Sequence, residues 1–480
     1  MSISILLEPQ AFQPVYNEVI TVLDSTNKTE TNFEYIIDIS VDGVATSQMK
    51  VTSNPEGYGV LDLHRHLEGF VSHDIDITNT DTFQLIPNSF IKYDIALSES
   101  YLINVDYTVV NDSGGFARYN CATAHGLQIG DKIIIANSTD ASYNGVQTVT
   151  SVPTTLTVVT DRAYSATATG DMQLADGSST IVPSATVFSA DKFATSSVLN
   201  WLDVPNFDNT DFVLDGGAKL LLASSDNYNI KSDSIVRLNM FNNISNKIDS
   251  VGITTYSANG NLEGIFNIDN TYSTTSDANK FLTMSVGADS LNNTTDVTSV
   301  AFGSLPIIKT TTSYYQIRVV DSVSSTTSSI YTFNIDNECN SYTNYQLIYQ
   351  DALGSFIPIN FDMVSKRTVS NSKKQYSKNY GSYNSVAATY GWASSERGRT
   401  VIDTDITEKI DIQTNWVDDA TSEKVKDLLL SPVVYHLDGT NLRAINIKTS
   451  SLEVKNKKIN KTFNYKIAFE YANKDTRQRG

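Results

Sequence analysis

Apolar and polar residues alternate with a period of two along most of this chain, and that alternation predicts strands before anything else is considered. "EVITVLDS" (18–25) and "FEYIIDISVDG" (33–43) read as strands, and the Asp-Gly pair ending the second predicts a tight hairpin into "VATSQMKV". "GVLDLHRHLEGFV" breaks the pattern: Asp62 is placed to cap one or two helical turns carrying Leu63, Leu67 and Phe70 on one side. Further strands follow in "ATVFSADKF", "DSIVRLNMFN", "DSVGITTYSANGNLEGIFNI", "YYQIRVVD" and "IYTFNID". Near the end, Ile406, Ile410 and Ile412 share one parity. "DDATSEKVKDLLLSP" is the best helix, with Val425, Leu428 and Leu429 at i, i+3 and i+4, Asp418 or Asp419 as cap and Pro432 as stop. The last strand alternates Phe463, Tyr465, Ile467, Phe469 and Tyr471 with Thr462, Asn464, Lys466, Ala468 and Glu470.

These elements predict an all-β chain of several β-sandwiches, with a small inserted β-domain and one helix packed on the C-terminal sandwich. Two polar, Gly-containing joints, "NDSGG" (111–115) and "ADGSST" (175–180), bracket the insert at 113–178. Inside it, a strand at Ile133–Ile135 follows a Gly130-Asp131 turn, and Asn144-Gly145 makes a second turn. An insertion with close ends is tolerated at a surface hairpin. The N-terminal sandwich then takes 1–112 and 179–205, a second sandwich 206–338, and the C-terminal sandwich with its helix 339–480. No period of 20 to 50 residues indicates a solenoid or propeller. "KRTVSNSKKQYSKNYGSYNSVAATYGWASSERGR" is too long for an ordinary connection, so something outside the domain is expected to order it.

Composition sharpens this picture. A 480-residue chain with 40% hydrophobic residues can fill several cores, and 25 Tyr against 3 Trp suits extended structure with polar loops. Two cysteines, Cys121 and Cys339, provide neither a disulfide framework nor zinc spacing and point to synthesis in a reducing compartment. The N-terminus has no leader pattern and no run of 18 apolar residues occurs, so a soluble chain without a membrane span is expected. The net charge of −18 argues against nucleic-acid binding. Residues 361–480 nevertheless hold 20 Lys and Arg against 14 Asp and Glu, while the rest holds 15 against 39. This asymmetry reflects either two solvated faces or attraction between unlike ends of neighbouring copies.

Candidate chemistry is sparse. His64, His66, His73, Asp74 and Asp76 are all competent metal ligands, but on a short helix His64 and His66 project about 200° apart and cannot share an ion. His125 reads as a turn residue bonded to backbone. The carboxylate pairs Asp403 with Asp405 and Asp418 with Asp419 are sequence neighbours, which rarely flank a sugar productively. No G-x-S-x-G elbow, P-loop or G-x-G-x-x-G occurs, so neither an enzyme nor a cofactor or metal site is expected. On the long excursion, Tyr376, Tyr380, Tyr383, Tyr390 and Trp392 suit either sugar stacking or a protein interface. The accompanying Lys366, Arg367, Lys373, Lys374, Lys378, Arg397 and Arg399 favour an interface with an acidic neighbour.

Several stretches carry a resemblance. "ISILLEPQAFQPVYNEVITVLDSTNKTETNFEYIIDISVDG", "NPEGYGVLDLHRHLEGFVSHDID", "YQLIYQDALGSFIPINFD", "ERGRT", "ITEKIDIQTNWVDDATSEKVKDLLLSPVVY" and "FNYKIAFEYANKDTRQR" resemble tail structural proteins of tailed bacteriophages infecting Bacteroidetes. The helix, "LLLSPVVY" and the alternating last strand are similar to the sandwich-plus-helix modules of tail tubes, distal tail proteins and baseplate hubs. Residues 113–178, with "HGL..GD.I.I" and "YNG...V", look like a small β-domain inserted in many phage virion proteins, although the insert lies outside the shared family pattern. The resemblance implies a virion tail subunit, made in the host bacterial cytoplasm, that forms a ring with copies of itself, contacts other tail proteins and supports host attachment. The expected interface residues are Lys373, Lys374, Tyr376, Tyr380, Tyr383, Trp392, Arg397 and Arg399, with Trp416 before the helix and Tyr465 and Phe469 on the last strand. The alternative is an adhesin for host surface glycan, binding through the Tyr-rich excursion or through Tyr143 and Asn144 of the insert.

Overall fold

The computed structural model describes residues 3–30, 32–76, 81–101, 105–174, 180–184, 186–213, 218–222, 226–242, 247–272, 276–321, 327–337, 342–417, 419–451 and 464–473. Several β-sheets with a few short helices make up the chain, which divides into two compact units. One comprises residues 1–72 and 88–209, the other 73–87 and 210–480.

In the first unit, the Asp-Gly pair behaves as its sequence requires. Val41 and Val44 close a two-residue hairpin in which Asp42 and Gly43 take φ of 50° and 77°. Both values lie in the left-handed region that Asp-Gly tolerates and most residues do not. Strand Glu34–Val41 runs between Val44–Thr52 and Phe90–Tyr101, and its Tyr35, Ile37 and Ile39 bury against Leu23 and Leu61 of a second sheet, Ile3–Leu7, Ile20–Ser25 and Gly59–Asp62. Asp62 Oδ1 accepts from the backbone N–H of His64 at 3.2 Å and of Val19 at 3.0 Å, tying the helical turn His64–Leu67 to the sheet. Leu63 and Leu67 are buried as expected, whereas Phe70 is exposed. The fully buried carboxylate of Glu99 accepts from Ser25 Oγ and Asn27 Nδ2, both at 2.7 Å, so it does not stand unpaired in the core.

Strands Val105–Asn111, Phe116–Cys121, Lys132–Ala136, Gly145–Thr154, Thr157–Ala163 and Thr169–Leu174 close into a six-stranded barrel. The expected insert began at 113, but the barrel needs Val105–Asn111 as its sixth strand: without it, both neighbours would present an open edge. Tyr101 and Thr180 are register partners, so the chain leaves the sandwich and returns to it at one point. Tyr143 is buried in the barrel, its hydroxyl donating to Ala166 O at 2.8 Å and accepting from the Ser165 and Ala166 amides. It therefore cannot be the glycan contact that the adhesin reading expected. His125 is a turn residue bonded to backbone, as its sequence setting predicts: Nδ1 accepts from Leu127 N–H at 3.1 Å, which leaves Nε2 to donate to Thr154 O at 3.2 Å. Cys121 is buried here, and burial pushes its thiol up to about 12.

The second unit pairs a six-stranded sheet, which contains Ile248–Ser257, Thr312–Asp321 and Tyr331–Ile335, with a ten-stranded one. In order across the larger sheet lie Lys366–Ser377, Arg399–Gln413, Lys466–Tyr471, Asn441–Ile447, Val434–Asp438, Tyr345–Gln350, Phe356–Phe361, Arg237–Phe241, Phe281–Ser285 and Phe83–Leu85. This sheet crosses both expected boundaries. Arg237–Phe241 and Phe281–Ser285 share it with the C-terminal strands, so the regions expected on either side of 338/339 hydrogen-bond in one sheet. Phe83, expected in the N-terminal sandwich, is buried in the second unit's core. Period-two patterning shows that a strand exists but not which edge it joins.

Helix Asp419–Leu430 packs Val425 and Leu428 fully into this core, with Leu429 against it, and ends before Pro432. Its expected caps, the Asp418 residue and the Asp419 side chain, lie outside the described residues, as do Cys339 and Phe463. Tyr465, Ile467 and Phe469 point inward, Phe469 with no exposed surface and its ring 6.2 Å from Tyr345 and 5.8 Å from His436.

Two outcomes follow for the second unit. Phe469→Ala removes a fully enclosed ring and is expected to cost about 3–5 kcal/mol in urea unfolding, whereas Tyr383→Ala, on an exposed strand, should stay within about 0.5 kcal/mol. Equal effects would contradict the burial assignment. Burial also holds the His436 imidazole below its ordinary 6.5, with Arg443 adding to the depression and Asp438 opposing it, and burial does the same to His73. The unfolded chain then takes up protons near 6.5 that the folded chain refuses, so stability is complete above that pH and declines as the pH falls below it. Calorimetric midpoints should therefore drop on acidification through that range, and His436→Gln should flatten the decline.

Candidate functional site

The excursion that is too long for an ordinary connection is a long antiparallel ribbon. Lys366–Ser377 pairs with Arg399–Gln413 from Lys366 against Asp411 to Ser377 against Arg399, with one register shift after Lys374. Only Lys409–Gln413 of the second strand goes on to pair with Lys466–Tyr471, which anchors Ile410 and Ile412 in the core. From Glu408 outward the ribbon has no further strand beside it among the described residues, and every residue of Lys366–Ser377 is exposed. A polar sequence can still form this strand because neither face has to be apolar when both meet solvent.

At its tip, Ser382–Asn384 pairs with Thr389–Gly391, setting Tyr383 opposite Tyr390. The Tyr390 hydroxyl donates to Tyr380 O, and the Tyr380 and Trp392 rings meet edge to face at 5.8 Å. These local contacts still leave Tyr383 and Trp392 each 63% exposed. Charge is graded along the arm. The end of the arm holds Lys378, Arg397 and Arg399 against Glu396, whereas along the shaft Lys366, Arg367, Lys373 and Lys374 run alongside Asp403, Asp405, Glu408 and Asp411, with Arg367 paired to Glu408. Asp403 faces Lys374 and Asp405 faces Ser372 across the ribbon, so the two carboxylates act as shaft residues.

The expected interface residues Lys373, Lys374, Tyr376, Tyr380, Tyr383, Trp392, Arg397 and Arg399 all lie exposed on this arm. Tyr465 and Phe469 do not belong with them: they are 3% and 0% exposed in the chain's own core, where alternation had marked them without revealing which face was inward. Trp416 is exposed but sits elsewhere, at a cleft of about 560 Å³ whose lining includes Tyr228, Asn229, Asp336, Asn360, Asp362 and Lys424. Sequence reasoning missed this cleft. Its only signal was Asn at non-apolar positions of otherwise apolar strands, in "NYNI", "TFNI" and "PINF".

The histidine-rich stretch separates into unrelated contacts. His64 Nδ1 bonds Asp62 at 2.7 Å, His66 lies 2.9 Å from Thr46 Oγ1, and His73 Nε2 lies 2.6 Å from the Tyr435 hydroxyl. Among the described residues, no group of three or more His, Cys, Asp or Glu side chains could hold a metal ion.

No protein-family model matches this sequence, and no curated protein matches it. Among solved structures, the chain has a weak likeness to a phage phi92 endosialidase, at 11% identity over 98% of this chain and 67% of that one, with a TM-score of 0.16. A likeness of that size carries no argument about function or site.

Proposed function

We propose that this chain is a non-catalytic structural subunit of a bacteriophage tail, at the level of the distal tail, baseplate or hub, which assembles into a ring with copies of itself and supports host attachment. The observation that carries the reading is the bare arm. A two-stranded ribbon is marginal in water by itself, and an unpaired outer strand offers a row of backbone N–H and C=O groups to another chain. Tyr, Trp and Arg at its tip are the residue types that dominate binding energy when a partner covers them. The sequence resemblance to tail proteins supplies the biological setting, and the basic tip suits an acidic neighbour, which this chain itself is over its first 360 residues.

Trimming the arm tests the reading. Replacing residues 370–407 by an Asn-Gly turn joins Val369 to its register partner Glu408 and leaves the anchored base intact. Light scattering and negative-stain images of the trimmed protein should show monomers under conditions in which the full chain forms rings; rings from the trimmed protein would overturn the assignment. Proteolysis supplies a second measurement. In the monomer, trypsin should cut first after Lys373, Lys374, Lys378, Arg397 or Arg399, and assembly should protect those bonds. Early cutting elsewhere, or equal rates in monomer and ring, would contradict an arm buried by assembly.

A further inference from the structure

We infer that the cleft beside Trp416 in the second unit is a binding site for a neutral saccharide. The inference is independent of the arm's role and uses neither the barrel turn nor the tip aromatics. Tyr228, Ile230 and Ile359 give the cleft an apolar floor, and the Trp416 indole, 65% exposed, supplies an open aromatic face at its side. Amides of Asn229, Asn360 and Asn415 line the same space; their oxygens already accept from Asn334, from Asn344 and Gln346, and from the Trp416 backbone N–H, so it is their NH2 groups that serve as donors to a ligand. An aromatic face beside convergent amides matches a pyranose ring, which has an apolar C–H face and hydroxyls around its rim.

Electrostatics narrow the ligand further. Asp362 Oδ1 is buried without a hydrogen-bond partner among the described residues, and its other oxygen lies 4.0 Å from Lys231 Nζ, beyond hydrogen-bond distance. A buried acceptor left unmade is costly, and a ligand hydroxyl donating to it would remove that cost. Asp336 pairs with the same Lys231. Lys424, the cation nearest the floor, already donates to Asn227 O and sits 3.7 Å from the centre of the Tyr228 ring, so it is held as part of the wall. With two carboxylates against two committed ammonium groups, the site has no surplus positive charge with which to hold a phosphate, sulfate or sialic acid. A wholly apolar ligand would in turn strand the Asn and Asp groups. A hydroxyl-rich, uncharged ligand satisfies both constraints.

The experiment is a titration of the full-length protein with neutral oligomers of glucose, mannose, galactose and N-acetylglucosamine, with sialyllactose as the anionic comparator. Tryptophan fluorescence and saturation-transfer NMR read binding up to about 10 mM sugar, the range expected for a small, open site. At least one neutral oligomer should saturate. Trp416→Ala and Asp362→Ala should each weaken it by about tenfold, with circular dichroism confirming the fold, while Trp392→Ala and the arm-trimmed protein bind as the parent does. No saturation by any neutral oligomer, undiminished binding in Trp416→Ala, preference for sialyllactose, or loss of binding in Trp392→Ala would each overturn the proposal.

Discussion

Every strand in this molecule carries a row of peptide groups that must meet either another strand or water, and the disposition of sheet edges follows from that demand. In the inserted barrel the demand is met by closure: six strands return upon themselves, and the chain recruits Val105–Asn111 to complete the circuit. The sandwich meets it by late pairing, when Lys192–Thr195 returns after the barrel to lie parallel to Phe12–Pro14 and antiparallel to the strand Phe90–Tyr101. In the ten-stranded sheet, Phe83–Leu85 caps one end with three residues, too short to template much further pairing. The other end is left as a long strand. Globular chains commonly shorten, bulge or cover such an edge, so an extended, fully exposed one asks for a physical use.

Charge and composition on that strand both limit and direct its use. Its lysines are the kind of residue that keeps edges from aggregating indiscriminately, and they leave association to partners of opposite sign. Aromatic groups gather toward the outer end, where Tyr376 stands near the end of the strand and Tyr383, Tyr390 and Trp392 at the tip keep most of their surface in water. Large apolar surface that the chain does not bury in itself contributes to stability only when something else covers it. The shaft carries the balancing carboxylates, so the ribbon is not uniformly cationic.

Much of this was legible in the sequence where one face of an element is buried and the other wet. Tyr35, Ile37 and Ile39, the Asp42-Gly43 turn and Val425 with Leu428 all announce themselves, because burial of a single face imposes a period that polar residues cannot imitate. The same rule explains the failures. Lys366–Ser377 has no buried face and therefore no period, and it reads as a loop despite being one of the longest strands. Tyr465 and Phe469 show the period clearly, but their sequence does not say whether the apolar face meets this chain or another. Phe83 and the Arg237–Phe241 strand joined sheets that no local pattern specifies, since pairing over such separations is decided by the whole core.

The cleft at Trp416 was the least legible feature for a further reason: it is assembled from four separate stretches of chain, each contributing a few polar groups from apolar strands or from the helix and the turn before it. An Asn in a strand disfavours the strand slightly and is ordinarily placed toward solvent, so each looks like an unremarkable surface position when read alone. Only when the strand residues Asn229 and Asn360 converge with Asn415 on the same volume as Asp362, whose Oδ1 has no hydrogen-bond partner among the described residues, does their cost to local propensity acquire a purpose. A surface evolved only for solubility would favour Lys and Glu, whose charges hydrate well and whose chains do not compete with strand geometry. Uncharged amides around an aromatic ring are a choice that hydration alone does not explain, and it is on this difference between a wet surface and a polar site that the saccharide assignment rests.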